Sequence, residues 1–204
     1  DTSRTAPPQQ SGSTSQPASE AQKTEKPQQK SETASTPPDS AVIEFEKGLA
    51  LYNERKLNEA MPYFKKALRL KPGYWEAAYN LGVIYHNQGN LKEAIEHYSK
   101  AIRVNPDYPE AQYNIGVAYH GQGDIDKAIA RYRVAIRLKP DYAQAYNNLG
   151  VAYYTQKKYK EAIEQYEKAL KLRPDYEEAR KNLQVAKTAN QGQNIILTPQ
   201  PKKQ

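Results

Sequence analysis

The chain has 204 residues, of which 38% are hydrophobic and 26% are charged, and its formal net charge is +7. It contains no cysteine, which excludes disulfides, thiolate nucleophiles and cysteine metal sites. No apolar run approaches the roughly 18 residues that a membrane-spanning helix needs, so we expect no membrane insertion within this chain.

Residues 1–40 have a composition that does not support a folded core. Their only apolar side chains besides proline are alanines, and they hold six of the 14 prolines. We expect a disordered tail rich in Ser, Thr, Pro and Gln, either passive or acting as a spacer that holds the rest of the chain away from an anchor. The chain starts at Asp1 and not at Met, so any signal peptide or membrane anchor would lie in a segment upstream of it. Two compartments stay open: export or membrane tethering through such a segment, or the cytoplasm.

A strict 34-residue period organises the next part of the chain. Glycine, alanine and proline each recur four times with this spacing, which predicts a stack of helical hairpins and an extended surface rather than a catalytic pocket. The repeating residues are Gly48, Gly82, Gly116 and Gly150, then Ala60, Ala94, Ala128 and Ala162, then Pro72, Pro106, Pro140 and Pro174.

One repeat, residues 75–108, indicates how each hairpin is built. Apolar residues at helical spacing predict a first helix from Trp75 to about Gln88 and a second from about Leu91 to Val104, which Pro106 ends. The remaining segments follow from the period. We predict hairpins at 41–74, 75–108, 109–142 and 143–176, a capping helix at 177–188, and a flexible tail at 189–204. The apolar run Ile195–Leu197 in that tail either frays or docks on its own repeat array or on that of a neighbouring molecule.

Small residues within the helices predict close packing. A glycine inside a helix costs about 1 kcal/mol relative to alanine. Its recurrence therefore indicates that the two helices of a hairpin approach closely, with Gly82 opposite Ala94. We expect Tyr98 and its equivalents to fill the space between hairpins.

The residues of the second hairpin resemble the tetratricopeptide repeat (TPR). The third and fourth hairpins match the same pattern, and the first is weaker because Leu51 replaces a tyrosine. The resemblance implies an all-α fold, a right-handed superhelical α-solenoid of four TPR helix hairpins plus a C-terminal solvating helix. The residues that carry it are Leu81, Gly82, Tyr85, Ala94, Tyr98, Ala101 and Pro106.

In TPR proteins the first helices line a concave groove that binds a peptide or a partner protein. The resemblance therefore implies a set of groove residues, in which the asparagines either bind a peptide backbone or hold local structure. These residues are Asn80, Asn114, Asn148, Asn182, Tyr79, Tyr113, Val83, Val117, Val151, His86, His120 and Tyr154.

The charged residues indicate which peptides the groove would prefer. A carboxylate clamp known in chaperone adaptors needs Lys, Asn and Arg, but this chain has Phe45, Leu49, Glu110 and Asn114 at those places. We therefore predict no binding of chaperone C-terminal tails. Three carboxylates, Glu76, Glu110 and Glu178, favour a basic partner. Lysines and arginines late in the second helices either complement the helix dipole or form a surface for nucleic acid or anionic lipid.

We expect a noncatalytic scaffold or adaptor that binds a partner protein or peptide in its groove and assembles a multiprotein complex. The alternative is a self-assembling array that stacks end to end, and a homo-oligomer stays open in either case. We predict no cofactor, metal or catalytic residue and no nucleic-acid partner. His86 and His120 are one repeat apart, too far to share an ion without a third ligand.

Overall fold

The computed structural model describes the backbone of residues 39–197 and the side chains of residues 39–192. The predicted N-terminal tail before residue 39 and residues 198–204 lie outside the described residues. Within the described part there are nine helices and no strand, as the sequence predicts. The helices are α1 (Ser40–Asn53), α2 (Leu57–Leu70), α3 (Trp75–Asn87), α4 (Leu91–Val104), α5 (Pro109–Gly121), α6 (Ile125–Leu138), α7 (Ala143–Thr155), α8 (Tyr159–Leu172) and α9 (Glu177–Leu197).

The described residues fall into two compact units, 39–118 and 119–197, and the division lies within α5. In the first unit α1 packs on α2, α2 on α3, and α3 on α4. In the second unit α6 packs on α7, α7 on α8, and α8 on α9, while α9 also reaches α7. Within α1–α4 and within α6–α9, helices that are neighbours in sequence are therefore neighbours in space, which is the contact pattern of stacked repeats.

The glycines inside the first helices lie against aromatic rings. A Cβ atom built on Gly82 would meet the ring of Tyr98 at 2.5 Å, and all three of its nearest atoms belong to that ring. The corresponding Cβ distances are 2.9 Å to Phe64 at Gly48 and 2.6 Å to Tyr166 at Gly150. The nearest neighbour of each of these glycines is thus the aromatic ring of the same hairpin, and the predicted approach of Gly82 to Ala94 stays a prediction.

The core between the helices is built from these rings and from alanines. The rings are almost completely buried, and so are the two alanines that each second helix contributes. The set comprises Phe64, Tyr98, Tyr132 and Tyr166, with Ala60, Ala67, Ala94, Ala101, Ala128, Ala135, Ala162 and Ala169, all at most 1% exposed.

Each turn between the two helices of a hairpin contains one residue in the left-handed region. Gly89 and Gly123 have φ values of 76° and 82°, while Arg55 and Lys157 have φ values of 62° and 60°. Glycine adopts this conformation without strain, but residues with a Cβ pay a steric penalty. The first and fourth turns are therefore strained relative to the second and third.

The ninth helix is longer than the sequence predicts. It runs from Glu177 to Leu197, so the expected change to a flexible tail at residue 189 is wrong. Gly192 is the weakest helix former near this point, and a single glycine costs only about 1 kcal/mol. The first proline after the helix starts is Pro199, which lies beyond its end. The side chains of Ile195–Leu197 are outside the described set, so neither fate predicted for them is tested.

One face of α9 is polar. Arg180, Gln184 and Lys187 are all exposed and recur at helical spacing. At the equivalent places the other first helices carry residues such as Gly82 and Tyr85, which contact or approach the second helix of their hairpin.

Among the described helices, none is long and apolar enough to cross a membrane.

Candidate peptide-binding surface

Helix α3 carries the first group of predicted groove residues on one face. Glu76, Tyr79, Asn80 and Val83 follow the i, i+3, i+4, i+7 pattern of a helix face. Val83 is 1% exposed and Tyr79 is 7% exposed, so both belong to the core. Glu76, Asn80 and His86 are half-buried and reach the surface.

The two asparagines of the first unit use their amides in different ways. Asn80 Nδ2 donates a hydrogen bond to the backbone oxygen of Glu76 at 2.8 Å, within its own helix. Asn114 Nδ2 donates to Tyr79 Oη at 3.0 Å, which links α5 to α3. An amide also has a second N–H and a carbonyl acceptor. Local structure accounts for part of each amide, and the remaining groups are suited to a peptide backbone.

Helix α5 presents a more accessible face than α3. Tyr113, Asn114 and Val117 are all half-buried, and Val117 lies about one helical turn after the consecutive residues Tyr113 and Asn114. Val117 occupies the same place in its hairpin as the buried Val83. This face therefore combines an aromatic ring, an amide and an apolar side chain at the surface.

In the second unit most of the predicted groove residues are buried. Val151 and Asn182 are each 2% exposed, Asn148 is 5%, His120 is 7% and Tyr154 is 9% exposed. These side chains therefore pack inside the unit and do not project from the surface of their helices. Their assignment as ligand contacts stays a prediction, and it would require movement of the surrounding residues.

A hydrogen-bonded group of polar side chains links α7 to α9. Asn182 Nδ2 donates to Asn147 Oδ1 at 3.1 Å, and Asn147 Nδ2 donates to Glu178 Oε1 and to Asn148 Oδ1, each at 3.3 Å. Burial raises the pKa of Glu178, and the hydrogen bond from Asn147 opposes that rise. The bonds formed by Asn147 and Asn182 therefore hold local structure.

The histidines on the predicted groove face are neutral at neutral pH. Burial lowers the pKa of His86 and of His120 below the ordinary value of 6.5. Among the described residues, no three or more His, Asp or Glu side chains are grouped so that they could hold a metal ion.

An aromatic and acidic cluster lies at the start of α3 and just before α5, and we name it the Tyr108 cluster. The ring of Tyr108 packs edge to face against Trp75 and Tyr79, with centroid distances of 4.9 and 4.8 Å. Burial raises the pKa of Tyr108, and the nearby carboxylates of Glu110 and Glu76 raise it further. The sequence does not predict this cluster, although a tyrosine recurs at the place of Tyr108 in each of the other three hairpins.

Comparison with known families identifies the repeats. Four family models, described as TPR or tetratricopeptide repeats, match residues 45–74, 63–96, 84–123 and 113–177. Together they span 45–177, well over half of the chain. No curated protein matches the sequence significantly.

Solved structures of similar proteins agree with this result. The chain is 27% identical to the MamA protein, with a TM-score of 0.72, over 77% of this chain and 86% of that one. The first TPR of Spaghetti (RPAP3), bound to the HSP90 peptide SRMEEVD, is 29% identical with a TM-score of 0.56 and covers 57% of this chain and 93% of that one.

A tetratricopeptide repeat protein from Parabacteroides merdae ATCC 43184 shares the fold. Its TM-score is 0.69 at 23% identity, over 76% of this chain and 62% of that one. The predicted all-α fold of helix hairpins is therefore confirmed. With a matching repeat pattern, four matching family models and this fold, the chain belongs to the tetratricopeptide repeat family.

Proposed function

We propose that the protein is a noncatalytic scaffold that binds an extended segment of a partner protein across the exposed face of its first helices. The observation that carries the proposal is the surface of α5, where Tyr113, Asn114 and Val117 lie side by side and half-buried. TPR proteins commonly bind peptides or proteins, and the first TPR of RPAP3 has an HSP90 peptide bound.

The three side chains offer complementary contacts to an extended chain. Asn114 uses one amide hydrogen on Tyr79 Oη, so its second hydrogen and its oxygen suit the N–H and C=O groups of a peptide backbone. Tyr113 and Val117 on either side suit the apolar side chains of that peptide. Aromatic anchors at the centre of such surfaces often supply most of the binding free energy.

The charge of this surface favours a basic partner over an acidic one. Glu76 and Glu110 lie in the first turns of α3 and α5. The HSP90 peptide SRMEEVD has three acidic residues and one arginine. Because Glu110 stands where a carboxylate clamp would need a cation, we expect this peptide to bind at least tenfold more weakly to this chain than to RPAP3. Binding of SRMEEVD to this chain as tightly as to RPAP3 would contradict this part of the proposal.

Position-specific crosslinking tests the proposal. A photoreactive benzoylphenylalanine is placed at Tyr113, and separately at the half-buried Tyr63 of α2 as a matched control on a second helix. We expect one partner to crosslink from position 113 only, and Asn114→Ala to reduce that product severalfold while circular dichroism stays unchanged. Equal crosslinking from both positions, or full crosslinking with Asn114→Ala, would refute binding on this face.

End-to-end stacking gains less support from the structure. The face of α9 that a stacked copy would have to cover carries the exposed Arg180, Gln184 and Lys187. Both cations pair within the chain, Arg180 with Glu177 and Lys187 with Glu167, and covering such exposed ion pairs removes them from water, which costs free energy. Growth of the scattering mass with protein concentration would favour the stacked array over a scaffold that acts alone.

A further inference from the structure

A tyrosine ends each hairpin, and in three of the four hairpins a cation from the same loop lies over its ring. The cation comes from the residue three places before the tyrosine. Lys71 Nζ lies 5.1 Å from the ring centroid of Tyr74, Lys139 Nζ lies 5.1 Å from that of Tyr142, and Arg173 Cζ lies 3.5 Å from that of Tyr176. The repeat thus combines a cation and an aromatic face at a fixed place.

Tyr108 is the exception to this pattern. The residue three places before it is Asn105, which has no charge, and no cation lies over the Tyr108 ring among residues 39–192. The backbone at Asn105 is close to that of its equivalents, with φ −121° and ψ 86° against −137° and 90° at Lys71. The difference therefore comes from the side chain and not from the path of the loop.

The surroundings of Tyr108 are those of a cation site. Trp75 and Tyr79 pack against its ring at under 5 Å between centroids. Glu76 and Glu110 are close enough for their charges to act on its hydroxyl. Glu76 forms no ion pair with any other residue in the described part of the chain. Aromatic faces and carboxylates together attract ammonium and guanidinium groups.

The cluster is also accessible and adjoins the proposed binding face. Trp75, Glu76 and Tyr108 are each half-buried. Glu76 lies one turn from Asn80 on the same face of α3, and Tyr79 of the cluster accepts the hydrogen bond from Asn114. A segment bound along α5 and α3 would therefore pass within reach of Tyr108.

We propose that the Tyr108 cluster binds an arginine side chain of the partner segment, which takes the place that Lys71, Lys139 and Arg173 occupy over the other three tyrosines. The inference rests on the proposed function for the source of that arginine. Arginine suits the site better than lysine because its planar guanidinium stacks on rings and pairs with a carboxylate through two N–H groups.

The sole tryptophan of the chain is Trp75, so its indole N–H gives a single nuclear magnetic resonance signal that reports on the cluster. The full chain is titrated with N-acetyl-L-argininamide, and separately with the neutral isostere N-acetyl-L-citrullinamide, at constant ionic strength. We expect a saturable shift of the indole signal with the arginine compound only, with a dissociation constant on the order of 10–100 mM for so small a probe.

Two variants and one control make the test specific. Asn105→Lys supplies the resident cation found in the other hairpins and should abolish the shift. Glu76→Gln should weaken binding about two- to fivefold, as expected for one partly exposed ion pair. Gln122→Lys adds the same charge in an exposed turn of the other unit and should bind like the unchanged protein.

The inference is overturned if the citrulline compound shifts the indole signal equally, or if Asn105→Lys leaves the titration unchanged. If either result is obtained while crosslinking at position 113 is retained, the arginine site is refuted but the proposed scaffold function is not. Conversely, a specific arginine titration without crosslinking at position 113 supports the cation site and counts against partner binding across α5.

Discussion

Replacing Gly82 by alanine tests the contact on which each hairpin depends. The new Cβ would lie 2.5, 2.6 and 3.0 Å from three carbon atoms of the Tyr98 ring, whereas an ordinary contact is 3.4–4 Å. The ring is 1% exposed and cannot move into solvent. Overpacking of this kind costs about 1–3 kcal/mol. Two of the three distances lie below 3.0 Å, so we take the upper part of this range, about 2–3 kcal/mol. Alanine regains about 1 kcal/mol of helix propensity, which leaves an expected net loss of about 1–2 kcal/mol.

Urea denaturation followed by circular dichroism measures this loss. Gly73→Ala is the matched control, because no atom lies within 4 Å of its added Cβ. We expect that variant to stay within about 0.5 kcal/mol of the unchanged protein. In a Tyr98→Leu background the ring is gone, and Gly82→Ala should become neutral or stabilising. A Gly82→Ala protein as stable as the unchanged one, or equal effects in both backgrounds, would refute the contact.

Three substitutions and one pH change have outcomes that follow from the structure. Because Gly89 has φ 76° and Lys157 has φ 60°, Gly89→Ala should lose about 1 kcal/mol of stability and Lys157→Gly should gain up to about 1 kcal/mol. The Tyr166 hydroxyl is buried without a hydrogen-bond partner within the described residues, so Tyr166→Phe should stabilise by about 1 kcal/mol, with Phe64 as the natural precedent. Burial lowers the pKa of His97 to about 4, so stability should fall by about 1–2 kcal/mol between pH 6.5 and pH 4.

The sign of the pH effect follows from proton binding. The folded state binds fewer protons at His97 than the unfolded state, whose histidine titrates near 6.5, so acid favours unfolding until the pH passes the folded pKa. His97→Gln should flatten this part of the profile more than His86→Gln does, and equal profiles would contradict the assignment. For Gly89→Ala, Lys157→Gly and Tyr166→Phe, the urea midpoint of each variant is compared with that of the unchanged protein. A stability change opposite in sign to the expected one would refute the prediction for that variant.

Much of the fold follows from local sequence signals. The recurring Pro106 and its equivalents and the turns that contain Gly89 and Gly123 determine where helices end, because their effect depends on a few neighbouring residues. The C-terminal end of α9 lies beyond the last 34-residue repeat, and the glycine at position 192 does not end the helix. The sequence therefore gives no clear signal for where α9 ends.

The exposure of the residues in the candidate binding surface was less predictable from the sequence than the fold. Val83 and Val117 are the same residue at the same place in the repeat, yet only Val117 is half-buried. Exposure depends on neighbours that are distant in sequence, so a column of equivalent residues does not reveal it. For the Tyr108 cluster the sequence is informative after the structure is known. Once Lys71 is seen over the ring of Tyr74, the sequence alone shows that Asn105 takes the place of this cation in the next repeat.

The last helix also affects how the protein tolerates shortening. Helix α9 packs on α8, a helix whose Tyr166 and Ala169 are fully buried. A chain cut after Leu172 would leave an apolar strip facing water, and such strips promote aggregation. Insertion or loss of a whole 34-residue repeat before Glu177 would keep α9 at the end of the stack. The number of repeats can therefore change without exposing that strip to water.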